Sequence, residues 1–176
     1  NQDMQQRQHE KRTWIYPVQL AMYATLLRDQ GNEVVWDEPD DGSFDRVIDR
    51  EDQIETHFMY LPFPDRILTK AHDPKWQENG NFKYRPGTYT LASSGCWYGR
   101  CRFCVESLKN CKPTTRDPEE VCRDLLTCKE QGFREVFDDS GTFPDGKWLL
   151  KFCVQKRVID DLDDLPFSCN MRINAD

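Results

Sequence analysis

Strand-like and helix-like runs alternate from residue 87 onward, and this alternation limits the fold more than anything else in the sequence. Residues 87–95 are rich in small and β-branched side chains, and residues 133–137 and 165–172 are short apolar runs bounded by turn signals, so all three read as strands. Two helix patterns separate them. The first opens with Asp117 as N-cap, Pro118 at the first helical position and Glu120 reaching back; it buries Val121, Cys122, Leu125, Leu126 and Cys128 and stops at Gly132. The second opens at Asp145 or Gly146, sets Trp148, Leu149, Phe152, Cys153 and Val158 on one side, and runs to Ile159. Strand, helix, strand, helix, strand with short connections predicts an α/β fold with a parallel βαβαβ sheet and right-handed crossovers.

Ahead of this unit the pattern changes. Residues 1–15 are polar and read as a loop. Pro17 then opens a helix in which Val18, Leu20, Ala21, Tyr23, Ala24, Leu26 and Leu27 recur at helical spacing until Gly31 ends it. Residues 32–36 read as a short strand, whose sheet would need a partner strand from before residue 1. Residues 49–87 are irregular and punctuated by proline. Their aromatics Phe58, Tyr60, Phe63, Trp76, Phe82 and Tyr84 are expected to pin an ordered linker against the domain that follows. The expected division is 1–48, a partial domain; 49–87, a linker; and 88–176, a second partial domain. Since residue 1 is Asn and Asp176 follows directly on a strand-like run, the chain reads as a piece of a longer protein.

Composition excludes some classes of function. In a chain of 176 residues, 38% hydrophobic and 31% charged, no apolar run approaches a membrane span and the first residues are too polar for a secretory signal. A cytoplasmic protein is expected. The net charge of −7 argues against a general grip on nucleic acid, which needs clustered Lys and Arg.

The chemistry concentrates in one loop. Of eight cysteines, Cys96, Cys101 and Cys104 fall within nine residues, directly after the first strand of the βαβαβ unit. Loops at the carboxyl ends of parallel strands are where α/β proteins place their reacting groups. Three thiolates can hold a soft metal centre and still leave one coordination position open to something other than protein. Bunching favours metal over disulfides; Cys111, Cys122, Cys128, Cys153 and Cys169 read as small buried hydrophobes in a reducing compartment.

The spacing Cys96-x4-Cys101-x2-Cys104, with Phe103 just before the third cysteine, resembles the radical S-adenosylmethionine (radical SAM) superfamily. That resemblance implies a 4Fe-4S cluster held through three irons by Cys96, Cys101 and Cys104, with S-adenosyl-L-methionine on the fourth. It also implies an enzyme that cleaves S-adenosylmethionine reductively to a 5′-deoxyadenosyl radical, with flavodoxin or ferredoxin as electron donor. By the same resemblance Phe103 would shield the cluster, Asp138, Asp139 and Ser140 would meet the methionine amino group, and Arg172 would reach a cofactor carboxylate or ribose. The commonest spacing in that family has three residues between the first two cysteines; here there are four, with Gly99 able to let the longer loop curl.

Residues 16–37, 44–48 and 61–66 look like the helix, strand and connector that precede the radical core in the cobalamin-binding subgroup. The implied fold is thus a remnant of a Rossmann-like cobalamin-type domain, then the first units of an incomplete radical SAM (β/α)6 barrel. Cobalamin would then be a second cofactor, although none of His9, His57 and His72 sits in the family's cobalt-ligating Asp-x-His-x-x-Gly pattern. Three strands cannot close a barrel, so this length of chain is expected to turn over little by itself. Two other classes stay open. One is a structural zinc module with Cys111 as fourth ligand, and the other is an electron-transfer iron-sulfur protein with four thiolate ligands. The identity of the substrate is left open by these residues.

Overall fold

A computed structural model describes residues 15–37, 42–104 and 113–172. Its α-helices are α1 (Val18–Asp29), α2 (Pro74–Glu78), α3 (Pro118–Glu130), α4 (Gly146–Val158) and α5 (Asp160–Asp163). Its strands are β1 (Gly87–Thr90), β2 (Ser93–Ser94), β3 (Thr114–Thr115), β4 (Glu135–Asp138) and β5 (Phe167–Cys169), and single 3-10 turns cover Glu51–Gln53 and Phe58–Tyr60. The protein is a mixed α/β structure built on a parallel three-stranded sheet in the order β1-β4-β5.

The register runs from Gly87 opposite Glu135 to Thr90 opposite Asp138, and from Val136 opposite Phe167 to Asp138 opposite Cys169. Every residue of β1 and β4 is buried, as expected for parallel strands covered on both faces. That burial forces polar side chains to find partners. Glu135 accepts from the backbone N–H groups of Lys83 and Tyr84 at 2.6 and 2.7 Å and from the Ser168 hydroxyl at 3.0 Å. It thereby ties the end of the linker to β4 and β5.

The helices follow their sequence signals. Asp117 caps α3 by accepting from Glu119 N at 2.9 Å, Pro118 fills the first turn, and Val121, Cys122, Leu125 and Cys128 are buried. In α4 the buried side is narrower than the expected stripe. Phe152 packs on Phe143 and Phe167, with ring centroids 5.4 and 5.1 Å away, and Trp148 stacks on Phe152. Cys153 lies one position beyond Phe152 and is therefore turned out to solvent; Val158 is exposed as well. At the other end of the chain, α1 ends where Gly31 takes φ +91°, a left-handed conformation that glycine adopts without strain.

Two strand expectations need correction. Residues 32–36 form no ladder: Asn32 caps α1 through Leu27 O, and Trp36 then packs beside Tyr16 without a paired neighbour. An extended segment becomes a strand only when another backbone takes up its N–H and C=O groups, and none of the described residues does so. Residues 87–95 also do not form one strand. The sheet ladder stops at Thr90, and Ser93 and Ser94 turn to pair antiparallel with Thr115 and Thr114.

Residues 49–87 contribute to the core. Phe58, Leu61, Ala71, Trp76 and Phe82 join the core that α1, α3 and the sheet share, whereas Tyr60 and Tyr84 face solvent. Tyr16 stacks edge-on against Trp76 and hydrogen-bonds Thr69, and the Asp65 N–H donates to Thr25 on α1 at 2.8 Å. Among the described residues no helix is long and apolar enough to cross a membrane.

Candidate functional site

Three loops leave the carboxyl edge of the sheet, after β1, β4 and β5, and the structure ties them together. Asp139 N donates to Thr90 O at 3.0 Å, joining the exits of β4 and β1. Phe143 N donates to Asn170 O at 2.8 Å, joining the exits of β4 and β5. The loop bearing Cys96, Cys101 and Cys104 leaves the β2 end of the same edge.

This loop is held from two sides. The Trp97 indole donates to Phe143 O at 3.4 Å, and the Arg172 guanidinium lies 3.3 Å from the Tyr98 ring centroid and 5.8 Å from that of Trp97. Gly95 and Gly99 take φ of +79° and +53°, which lets the chain reverse on either side of Cys96. Cys104 N donates to Cys101 O at 3.1 Å, closing a turn around the last two thiols. All three cysteines are half-buried.

Asp138 anchors the base of the loop. Its carboxylate, fully buried at the end of β4, accepts from Ala92 N at 2.7 Å and from Ser140 N at 3.0 Å. Ser140 accepts in turn from Ser93 N at 2.9 Å. The two side chains thus replace the ladder that β1 gives up after Thr90. Burial pushes the Asp138 pKa up to about 6, against the pull of its hydrogen bonds to Ser140 and Ala92.

The residues singled out from sequence therefore meet at one edge but differ in what they can reach. Asp138 and Ser140 are buried and engaged by the backbone of Ala92 and Ser93. Asp139 is exposed; the crowding of the chain around it, and then the Glu51 carboxylate, raise its pKa. Phe103 is 93% exposed and so covers none of the described residues. Arg172 is spent on the aromatic rings of the thiol loop. Sequence reasoning missed Trp97 and Tyr98 as the rings that receive Arg172. Their position between the first two cysteines was the available signal, but nothing local pointed to a guanidinium 74 positions later.

Three thiols have the donor chemistry that an iron-sulfur cluster takes. Among the described residues no three or more His, Cys, Asp or Glu side chains gather closely enough to hold one metal ion. In a four-iron cluster each thiolate takes its own iron, so the three sulfurs need not converge on a point. Tetrahedral zinc requires that convergence; Cys111, the fourth ligand of the zinc alternative, lies outside the described residues.

No protein-family model, curated protein or solved structure matches this chain.

Proposed function

We propose that the chain carries the cluster-binding portion of a radical S-adenosylmethionine enzyme, with Cys96, Cys101 and Cys104 as the ligands of a 4Fe-4S cluster. The supporting observation is three half-buried thiols on one glycine-hinged loop at the carboxyl edge of a parallel sheet. When bound, the cluster would supply the electron for reductive cleavage of S-adenosylmethionine to a 5′-deoxyadenosyl radical, and its fourth iron would chelate the cofactor. The protein's own residues fix where that happens. Asp138 and Ser140 set the loop's origin, Trp97 and Arg172 hold its first turn, and Asp139 offers the exposed carboxylate nearest the exit of β4. In this reading Asp139 alone, of the three residues at that exit, is free to meet the ammonium of the cofactor.

The (β/α)6 barrel and the cytoplasmic flavodoxin or ferredoxin donor belong to the same proposal. Cobalamin has thinner support: α1 is present, but residues 32–36 form no strand with it and no histidine carries the ligating pattern. No step is therefore routed through that cofactor.

Anaerobic reconstitution with iron and sulfide, followed by metal counting and electron paramagnetic resonance, tests the assignment. The cluster that forms should contain four irons, shift its spectrum on addition of S-adenosylmethionine, and be lost in Cys101→Ala. Zinc in place of iron, or a cluster indifferent to S-adenosylmethionine and dependent on Cys111, would overturn it in favour of a structural or electron-transfer site.

A further inference from the structure

The outer side of α4 carries an apolar row that the described residues leave open. Leu150, Val154 and Val158 recur at i, i+4 and i+8 and are 68%, 60% and 70% exposed. Single exposed apolar side chains are ordinary, but a row at this spacing is a ridge by which helices pack on one another. At about 100° per residue, Val154 lies nearly opposite Phe152, the α4 residue buried against Phe143 and Phe167. The row therefore faces away from the sheet, and a further helix laid beside α4 in the same layer would not cover it.

The charges beside the row are divided between its two ends. Lys147 stands at the start of α4, which contains no Asp or Glu, and α5 opens just after α4 with Asp160 and Asp161. Other charges nearby are already engaged. Lys151 pairs with Asp117 at 2.9 Å, Lys129 holds Asp164 at 2.6 Å and the Asp161 carbonyl, and Lys156 donates to Leu162 O at 2.6 Å with the Asp163 carboxylate close by. Among the described residues no ion pair takes up the side chains of Lys147, Arg157, Asp160 or Asp161.

We propose that this surface pairs with its copy on a second molecule of the chain, α4 against α4 in antiparallel orientation about a two-fold axis at Val154. The row is self-complementary about that residue: Leu150 and Val158 stand four positions to either side of it, so each meets the other on the second copy. Lys147 and Asp161 stand seven positions to either side, so the same axis brings each ammonium towards a carboxylate of the second copy. An anionic lipid surface would suit lysines beside an apolar row, but it would repel Asp160, Asp161, Asp163 and Asp164, all exposed at the end of that row, and a chain of net charge −7. Three apolar side chains per copy cover far less than the roughly 800 Å² per partner of a standard interface, so the dimer is weak and forms at high concentration.

This pairing does not depend on the cluster. The test uses the full chain, iron-free and held reduced, in sedimentation velocity from about 10 μM to about 1 mM, where a concentration-dependent dimer is expected. Val154→Glu sets two carboxylates against each other at the axis and should weaken the dimer at least about tenfold. Its position is exposed, so the circular dichroism spectrum should not change. Lys147→Asp should weaken the dimer about threefold or more, and adding Asp161→Lys should restore it. A monomer throughout that range, a dimer indifferent to Val154→Glu, or no recovery in the double variant would overturn the pairing. Binding to phosphatidylserine vesicles by a protein that stays monomeric would overturn it in favour of a lipid surface.

Discussion

Arg66 and Asp124, 58 positions apart, meet in a two-pronged ion pair at 2.7 and 2.8 Å with both side chains withdrawn from solvent. The remaining donors of Arg66 reach Thr88 Oγ1 at 3.1 Å and Tyr89 O at 2.9 Å, and Thr90 donates to Asp124 at 2.7 Å. Burial alone would make the guanidinium easier to deprotonate, but the Asp124 charge overrides it and the Arg66 pKa ends above its ordinary value. The pair thus ties the segment bearing Arg66 to α3 and β1.

Removing one partner strands a buried charge. Asp124→Ala should destabilise the protein by about 3–5 kcal/mol in urea unfolding, whereas Arg66→Met combined with Asp124→Leu should recover most of that loss. A double variant no better than the single would show that the pair is irreplaceable for packing and not only for charge.

The Asp138 carboxyl supplies a pH dependence whose sign is set by its upward shift. Between the ordinary value of 3.8 and about 6 the folded protein binds more protons at this site than the unfolded chain, so stability falls as pH rises through that interval. The protonated, buried form contributes fully below pH ~4, and its advantage is gone above pH ~7. Asp138→Asn cannot titrate. The stability of wild type relative to Asp138→Asn, followed by urea unfolding from pH 4 to 7.5, should therefore decline by roughly 3 kcal/mol. A constant difference would mean that Asp138 is not desolvated as its position requires.

Much of this framework was legible because its signals are local. Pro17 and Gly31 bracket α1, Asp117 and Pro118 start α3, and the run of three strands and two helices gave the parallel sheet. What could not be read depends on contacts distant in sequence. The pattern of residues 32–36 suits a strand, yet a strand exists only if a second backbone lies beside it. Residues 87–95 look continuous, but Asp138 and Ser140 capture Ala92 and Ser93 and break the run. The Arg66–Asp124 pair had no sequence signature, since neither residue's neighbours mark it as buried. At the site, the clustering of thiols was visible from spacing alone, whereas the diversion of Arg172 to the Tyr98 ring was not.

The interior cysteines should separate cleanly from the exposed one. Cys122 and Cys128 are fully buried, and burial pushes the Cys122 thiol up to about 11 and that of Cys128 higher still, so both lack thiolate at neutral pH. Cys153 stands exposed on the outer side of α4. Anaerobic alkylation of the native protein at pH 8, read by mass spectrometry, should label Cys153 readily and leave Cys122 and Cys128 unmodified until denaturant is added. Early labelling of Cys122 would place α3 outside the core and contradict the packing of α3 on α4.

The stacking of Arg172 on Tyr98 makes the order of the thiol loop depend on the exit of β5. A cation–π contact at a partly exposed site contributes about 0.5–1 kcal/mol, equivalent to a population shift of about two- to fivefold. Arg172→Ala should therefore speed iodoacetamide labelling of Cys101 and Cys104 in the iron-free protein by that factor, with Arg172→Lys in between. Tyr98→Leu should do the same. Because both substitutions remove one interaction, the double variant should label no faster than either single. Additive acceleration would show instead that Arg172 and Tyr98 steady the loop through separate contacts, and that β5 does not hold the thiols through this pair.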